Sequence, residues 1–305
     1  MHEIQRRAFL KTGSQAVAGG ALAASMPLDS RAEEEKKATV VVVHGTDLPK
    51  MVEAGIAKMG GWDAFFKAGI KVAIKPNVAW NSTPEQGANT HPDIVKTFVL
   101  AAEARKVKQI TIPENTCAPE DQSFPASGVP EAIKGTIAKL YRPNAKKGEY
   151  VSVDIPNGKI CKKAMVTRDL VEADCLINMP VAKHHSGATL TLSMKNWMGA
   201  VDNRTRQSWH REGLHQCIAD FSTFLKPKLV VIDATRILLD HGPQGPGKLA
   251  HPHEIIFSTD PVAADAYAST LFGKKPEEIP HIRIAGEMGI GCMDLAKIKI
   301  DRVEV

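Results

Sequence analysis

Aromatic side chains make up only 5% of this 305-residue chain, which argues against a stacking platform for single-stranded nucleic acid. Cysteine is sparse. Cys117, Cys161, Cys175, Cys217 and Cys292 are scattered, and no C-x-x-C spacing occurs. A protein-held iron–sulfur cluster or a structural zinc site therefore has no support, and any disulfide pairing is left open. No apolar run approaches the roughly 20 residues that a membrane-spanning helix needs. The G-x-G-x-x-G, Walker, G-x-S-x-G and H-E-x-x-H patterns are all missing, as are internal repeats and low-complexity tracts. What remains has the composition of a globular protein. It is 43% apolar and 24% charged, and the chain is long enough for two domains or one large one.

The formal net charge of +5 is partly local. Gln5-Arg6-Arg7-Ala8-Phe9-Leu10-Lys11 precedes a mildly apolar stretch, Thr12 to Leu28, rich in Ala and Gly, and Ser30-Arg31-Ala32 follows. Residues 1–32 resemble a twin-arginine export signal with a small-x-small cleavage site. Its removal takes away four basic and two acidic residues, so the charge falls from +5 to +3 over 273 residues. That balance gives no reason to expect nucleic acid as a partner. The resemblance implies the twin-arginine translocase as an export partner and a periplasmic location, with an uncleaved membrane tether as the alternative. It also implies export in the folded state, which keeps a metal ion or a cytoplasmically loaded cofactor in play. The mature chain is expected to carry no transmembrane segment.

From Thr39 onward, strand and helix patterns alternate. Thr39–His44, Lys71–Lys75, Gln109–Ile112, Tyr150–Ile155, Cys175–Met179, Leu229–Asp233, Glu254–Phe257 and Ile298–Val305 read as strands. Leu48–Phe66, Pro92–Ala104, Val129–Leu140, Leu214–Leu225, Pro261–Leu271 and Ile279–Glu287 read as helices, while Leu190–Trp197 fits either. The pattern predicts an α/β fold: a mostly parallel sheet with helices on both faces, formed by residues 33–305 as a single domain. If that domain has two lobes, their boundary falls near 141–165.

In such a sheet, ligands sit beyond the carboxyl ends of the strands. Lys75-Pro76-Asn77, Glu114-Asn115, the segment from Asn178 to His185, Asp233 and Asp260 occupy those ends. Each could instead cap the next helix or turn. The densest cluster is Lys183-His184-His185 with Lys195-Asn196, Asp202-Asn203, His210 and His215. Lysines suit a carboxylate or phosphate, and histidines can serve as acid, base or metal ligand near neutral pH. Adjacent His184 and His185 point apart, so one of them at most faces a common site. His184, His185 and His210 are the candidates for a metal, and the spacing of His210 and His215 does not make a helical ligand pair. His241 to Gly247 is a Gly/Pro loop, either a backbone cradle for a ligand or a rigid turn.

Taken together, Lys75-Pro76-Asn77, Pro180-x-x-Lys183-x-His185, Thr189-x-Thr191-x-x-x-Lys195-Asn196-x-x-Gly199, Asp233, Gly242-Pro243-x-Gly245 and Asp260 to Asp265 resemble the domain of unknown function 362 family. The tail Ala285 to Gly291 fits too, so the resemblance spans roughly Val40 to Val305. Some relatives carry an attached iron–sulfur module, which this sequence lacks. The resemblance supports the fold and the polar positions and leaves the reaction open. The expectation is an exported enzyme acting on a small anionic substrate. His185, Lys183 and Lys195 would be catalytic, with Lys75, Asn77, Asn196, Asp233 and Asp260 binding substrate or orienting a partner. The alternative is a cofactor- or metal-binding accessory protein of a periplasmic redox system.

Overall fold

Thr39–His44 forms strand β1, and its four valines divide between two cores: Val40 and Val42 face one, Val41 and Val43 the other. Successive side chains of a strand point to opposite faces, so an unbroken valine run marks a strand covered on both sides. A computed structural model describes residues 38–305; the twin-arginine pattern lies outside the described residues.

The strands that follow are β2 (Lys71–Pro76), β3 (Gln109–Pro113), β4 (Ala138–Tyr141), β5 (Tyr150–Asp154), β6 (Lys163–Thr167) and β7 (Cys175–Met179). Then come β8 (Val181–His185), β9 (Thr189–Thr191), β10 (Leu229–Leu238), β11 (Leu249–Ala250), β12 (Glu254–Ser258) and β13 (Lys299–Glu304). The helices are α1 (Leu48–Lys58), α2 (Pro92–Ala104), α3 (Glu120–Ser127), α4 (Val129–Ala132) and α5 (Arg168–Val171). They continue with α6 (Ser193–Asn196), α7 (Asn203–Glu212), α8 (Leu214–Phe224), α9 (Pro261–Thr270) and α10 (Pro280–Glu287).

The main sheet runs in the order β13-β1-β12-β10-β7-β2-β3-β4. The pairings from β10 to β4 are parallel, and so is β13 with β1; β12 runs antiparallel between β10 and β1. One core holds apolar side chains of α1 and α2, the other those of α8, α9 and α10, so helices cover both faces. In the first, Trp62 stacks on Phe66 at 5.6 Å and meets Phe98 edge-on at 5.0 Å. The fold is therefore α/β with a mostly parallel sheet, as the alternation of elements predicts. Strands β5 and β6 form a separate two-stranded antiparallel sheet within and just beyond the 141–165 stretch. Among the described residues no helix is long and apolar enough to cross a membrane.

Some local expectations differ. Val129–Leu140 is not one helix: α4 stops at Ala132, Gly135 takes φ +81°, and the chain re-enters the sheet as β4. Leu190–Trp197 is both a strand and a helix, with the change at Leu192.

The chain order places the site. From β2 the chain moves outward to β3 and β4, then returns to β7 on the opposite side of β2. The border between β2 and β7 is thus a topological switch point, where a crevice opens beyond the carboxyl ends of the strands. Pro76 ends β2 beside Met179, the last residue of β7, and Pro180 follows directly.

Candidate functional site

At that border Lys75 pairs in register with Asn178, and both are fully buried. A buried ammonium requires a partner, and Glu114, just beyond β3, supplies it at 3.0 Å. Lys75 Nζ also donates to the Pro76 carbonyl at 2.6 Å, and Glu114 Oε2 accepts from the Val78 amide at 3.0 Å. Burial pushes the Lys75 amine down, and the Glu114 carboxylate opposes the shift. Gly199 is pressed against this pair: a Cβ there would lie 1.9 Å from Glu114 Oε1.

Asn196, the last residue of α6, stitches the crevice together. Its amide nitrogen donates to the Lys75 carbonyl at 2.9 Å and to Asn178 Oδ1 at 2.8 Å, and its Oδ1 accepts from Asn77 at 3.1 Å. Asn77 Oδ1 in turn accepts from Lys183 Nζ at 3.0 Å, and the Ala88 carbonyl takes a second, very short bond from the same amine.

Past Pro180 the chain forms the β8–β9 hairpin, in which Lys183 lies opposite Thr191 and His185 opposite Thr189. Lys183 and His185 are two residues apart and share a face, while His184 takes the other. His184 Nδ1 accepts from the Gly242 amide at 3.1 Å, which ties the hairpin to the Gly/Pro loop. His185 Nδ1 accepts from the amides of Gly187 at 3.0 Å and Ala188 at 3.1 Å. Burial, with Lys195 and Lys183 adding to it, pushes this imidazole down to about 2. The ring is neutral at physiological pH, and with Nδ1 accepting, its proton sits on Nε2.

These groups line a cavity of about 270 Å³, the scale of a small metabolite. Asn77, Lys183, His185, Lys195 and Asn196 all reach it, so five of the residues singled out from sequence converge. His210 also lines it, while His184 does not. Lys75 lies beneath the floor and acts on the cavity through Glu114. Asp233 and Asp260 are not brought to the cavity. Asp233 is buried against Arg236 and accepts from the His91 amide at 2.8 Å, tying β10 to the start of α2. Asp260 caps α9 through the amides of Val262 and Ala263 and holds that of Cys292 at 2.8 Å.

Arg206 escapes the sequence reading; it lies one turn before the candidate His210 on α7, and both line the cavity. Arg206 is held by the Asn115 carbonyl at 2.9 Å and Asn203 Oδ1 at 2.7 Å. Helix α7 lacks the apolar stripe that would have announced it, since Trp209 is the residue it buries. Thr191, Cys117, Trp80 and Pro243 also line the cavity. The Thr191 hydroxyl is buried, with no hydrogen-bond partner among the described residues. Lys195 is 8% exposed, and its amine has no hydrogen-bond partner among the described residues.

Burial pushes Lys183 down to about 7 and Lys195 down to about 8. Both amines can therefore change protonation near neutral pH, and both carry charge in mildly acidic solution. Among the described residues no group of three or more His, Cys, Asp or Glu side chains is placed to hold a metal ion. His215 is away from the cavity, stacked on the buried His281 with 3.2 Å between their Nδ1 atoms.

The model of the domain of unknown function DUF362 matches residues 72–270, a span that runs from within β2 to the end of α9 and holds every cavity residue named above. The chain belongs to this family. A thylakoid-associated protein of Synechocystis is 24% identical over 247 residues, covering 76% of this chain and 72% of the relative. Among solved structures, the lactate racemase apoprotein of Thermoanaerobacterium thermosaccharolyticum is similar with a TM-score of 0.50 and 11% identity. That match covers 78% of this chain and 57% of the other, so the chain spans little more than half of that protein, and the likeness concerns the fold.

Proposed function

We propose that the cavity at the β2–β7 border binds a small organic anion and that its lysines move a proton on that molecule. The observation that carries this reading is the charge balance. Lys183, Lys195 and Arg206 face the cavity, and the carboxylate that lines it, Glu114, is already paired with Lys75. A carboxylate or phosphate monoester would neutralise the excess and supply an acceptor for Lys195 and for the unpartnered Thr191 hydroxyl. Lys183, held by Asn77 and Ala88, is fixed in place and titrates near neutrality, as a general acid–base group must. His185 contributes an Nε2–H donor that steadies developing negative charge without itself taking up a proton.

The test is a binding panel on the purified protein: small carboxylates, inorganic phosphate, and neutral amides of matching size. Stabilisation by an anion, absent with the amides and lost in Lys183→Met, is the expected result. Equal response to the amides, or full anion binding by Lys183→Met, would reject the reading. On the twin-arginine pattern we also infer that the protein works after export, in the periplasm.

A further inference from the structure

Most polar groups around the cavity are already engaged. Lys75 is held by Glu114, Lys183 by Asn77 and Ala88, Asn196 by its three partners, and Arg206 by Asn115 and Asn203. Among the described residues, two buried side chains that line it are not: the amine of Lys195 and the hydroxyl of Thr191, whose residue is 2% exposed. An amine fixed by acceptors serves as a charge. One that is buried, unheld and open to a ligand cavity can approach a carbon atom. Its backbone is rigidly placed, because Asp265 accepts from the Ser193 and Met194 amides at 2.7 and 3.0 Å at the start of α6.

We propose that Lys195 Nζ condenses with the carbonyl of a small 2-oxo carboxylate bound in this cavity, forming an imine. This rests on the anion-site reading and names the substrate class within it. The nitrogen lone pair forms the C–N bond. The carbonyl oxygen, hydrogen-bonded by His185 Nε2–H, takes one proton from the attacking nitrogen and one from Lys183, and leaves as water. The product is a protonated imine, and the reverse hydrolysis restores the lysine. No oxidant or reductant takes part. The positive nitrogen then draws electrons from the neighbouring carbon, whose proton becomes removable. Burial together with the nearby cations Arg206 and Lys75 holds the Lys195 amine low enough for part of it to be neutral at physiological pH.

The experiment is reductive trapping of the full-length protein with pyruvate as probe and sodium borohydride, read by intact mass and peptide mapping. One reduced pyruvyl adduct per chain is expected on the peptide containing Lys195, absent without pyruvate and lost in Lys195→Arg. The arginine variant keeps the charge, and an unchanged melting temperature establishes that it is folded. Calorimetry of pyruvate binding runs in parallel. Binding without an adduct, or an adduct of undiminished yield in Lys195→Arg, overturns the imine and leaves the anion site standing. Failure of pyruvate, other carboxylates and phosphate to bind at all would overturn both.

Discussion

Lys75 and Glu114 show what individual residues contribute here. Each is buried, and each is tolerable because the other is present at 3.0 Å. Glu114→Gln removes the counter-charge while leaving the ammonium in place, and should cost about 3–5 kcal/mol in denaturant unfolding. Replacing both by apolar residues of similar size should recover most of that loss. A double variant as unstable as Glu114→Gln would show that packing, and not charge, is at stake. Lys183 makes a second prediction, on pH. Its folded-state amine sits at about 7 against 10.5 for the free side chain, so above about pH 7 the unfolded chain binds more protons than the folded one. Stability should therefore rise with pH from about 7 to about 8.5, where buried thiols begin to act in the opposite sense. In Lys183→Met the slope should flatten, as read from denaturation midpoints across that range.

At the scale of elements, the β8–β9 hairpin and the Gly/Pro loop behave as one piece. Gly242 donates to His184 Nδ1 and accepts from the Ser186 amide, and a Cβ on it would lie 1.9 Å from the His184 carbonyl oxygen. Gly242→Ala should push the hairpin aside, weakening anion binding at least tenfold while the melting temperature changes by only a few degrees. Equal binding by wild type and variant would show that the loop does not position Lys183 and His185. The same hairpin explains what could be read from sequence. Lys183 and His185 are two apart, so a strand puts them on one face, and the strand-end rule brings them to Asn77 and Asn196. Arg206 was hidden because α7 is polar on nearly every side. Glu114 stands at a strand end in plain view, but its pairing with Lys75 is a long-range contact between strand β2 and the residue that follows β3. Asp233 and Asp260 read as strand ends too, but β10 runs on to Leu238 and β12 is antiparallel to it; the two serve as a brace and a helix cap, and a single sequence does not distinguish those roles from ligand binding. Val129–Leu140 misled because β4 is an edge strand, half-exposed and preceded by glycine, with no clean period of either kind.

For the molecule as a whole, the alternation of strands and helices was enough to predict the sheet and its two covered faces, because valine runs such as Val40–Val43 leave few other options. The order of the strands, and with it the switch point between β2 and β7, comes from pairings far apart in the chain. The export proposal belongs at this scale too. Replacing Arg6 and Arg7 by lysine should strand the protein in the cytoplasm in cell fractionation, with the folded domain's melting temperature unchanged. Undiminished periplasmic protein in that variant would contradict the proposal.

The central claim is that buried lysines, poised near neutrality, receive a small anion. An anion bound beside Lys183 and Lys195 must raise both amines, so binding has to draw protons from solution. Calorimetric titration with a small carboxylate at about pH 8, repeated in buffers of different ionisation enthalpy, measures that uptake directly. The account predicts net proton uptake on binding, falling towards zero as the pH is lowered to about 6. Binding with no uptake, or with proton release, would contradict it.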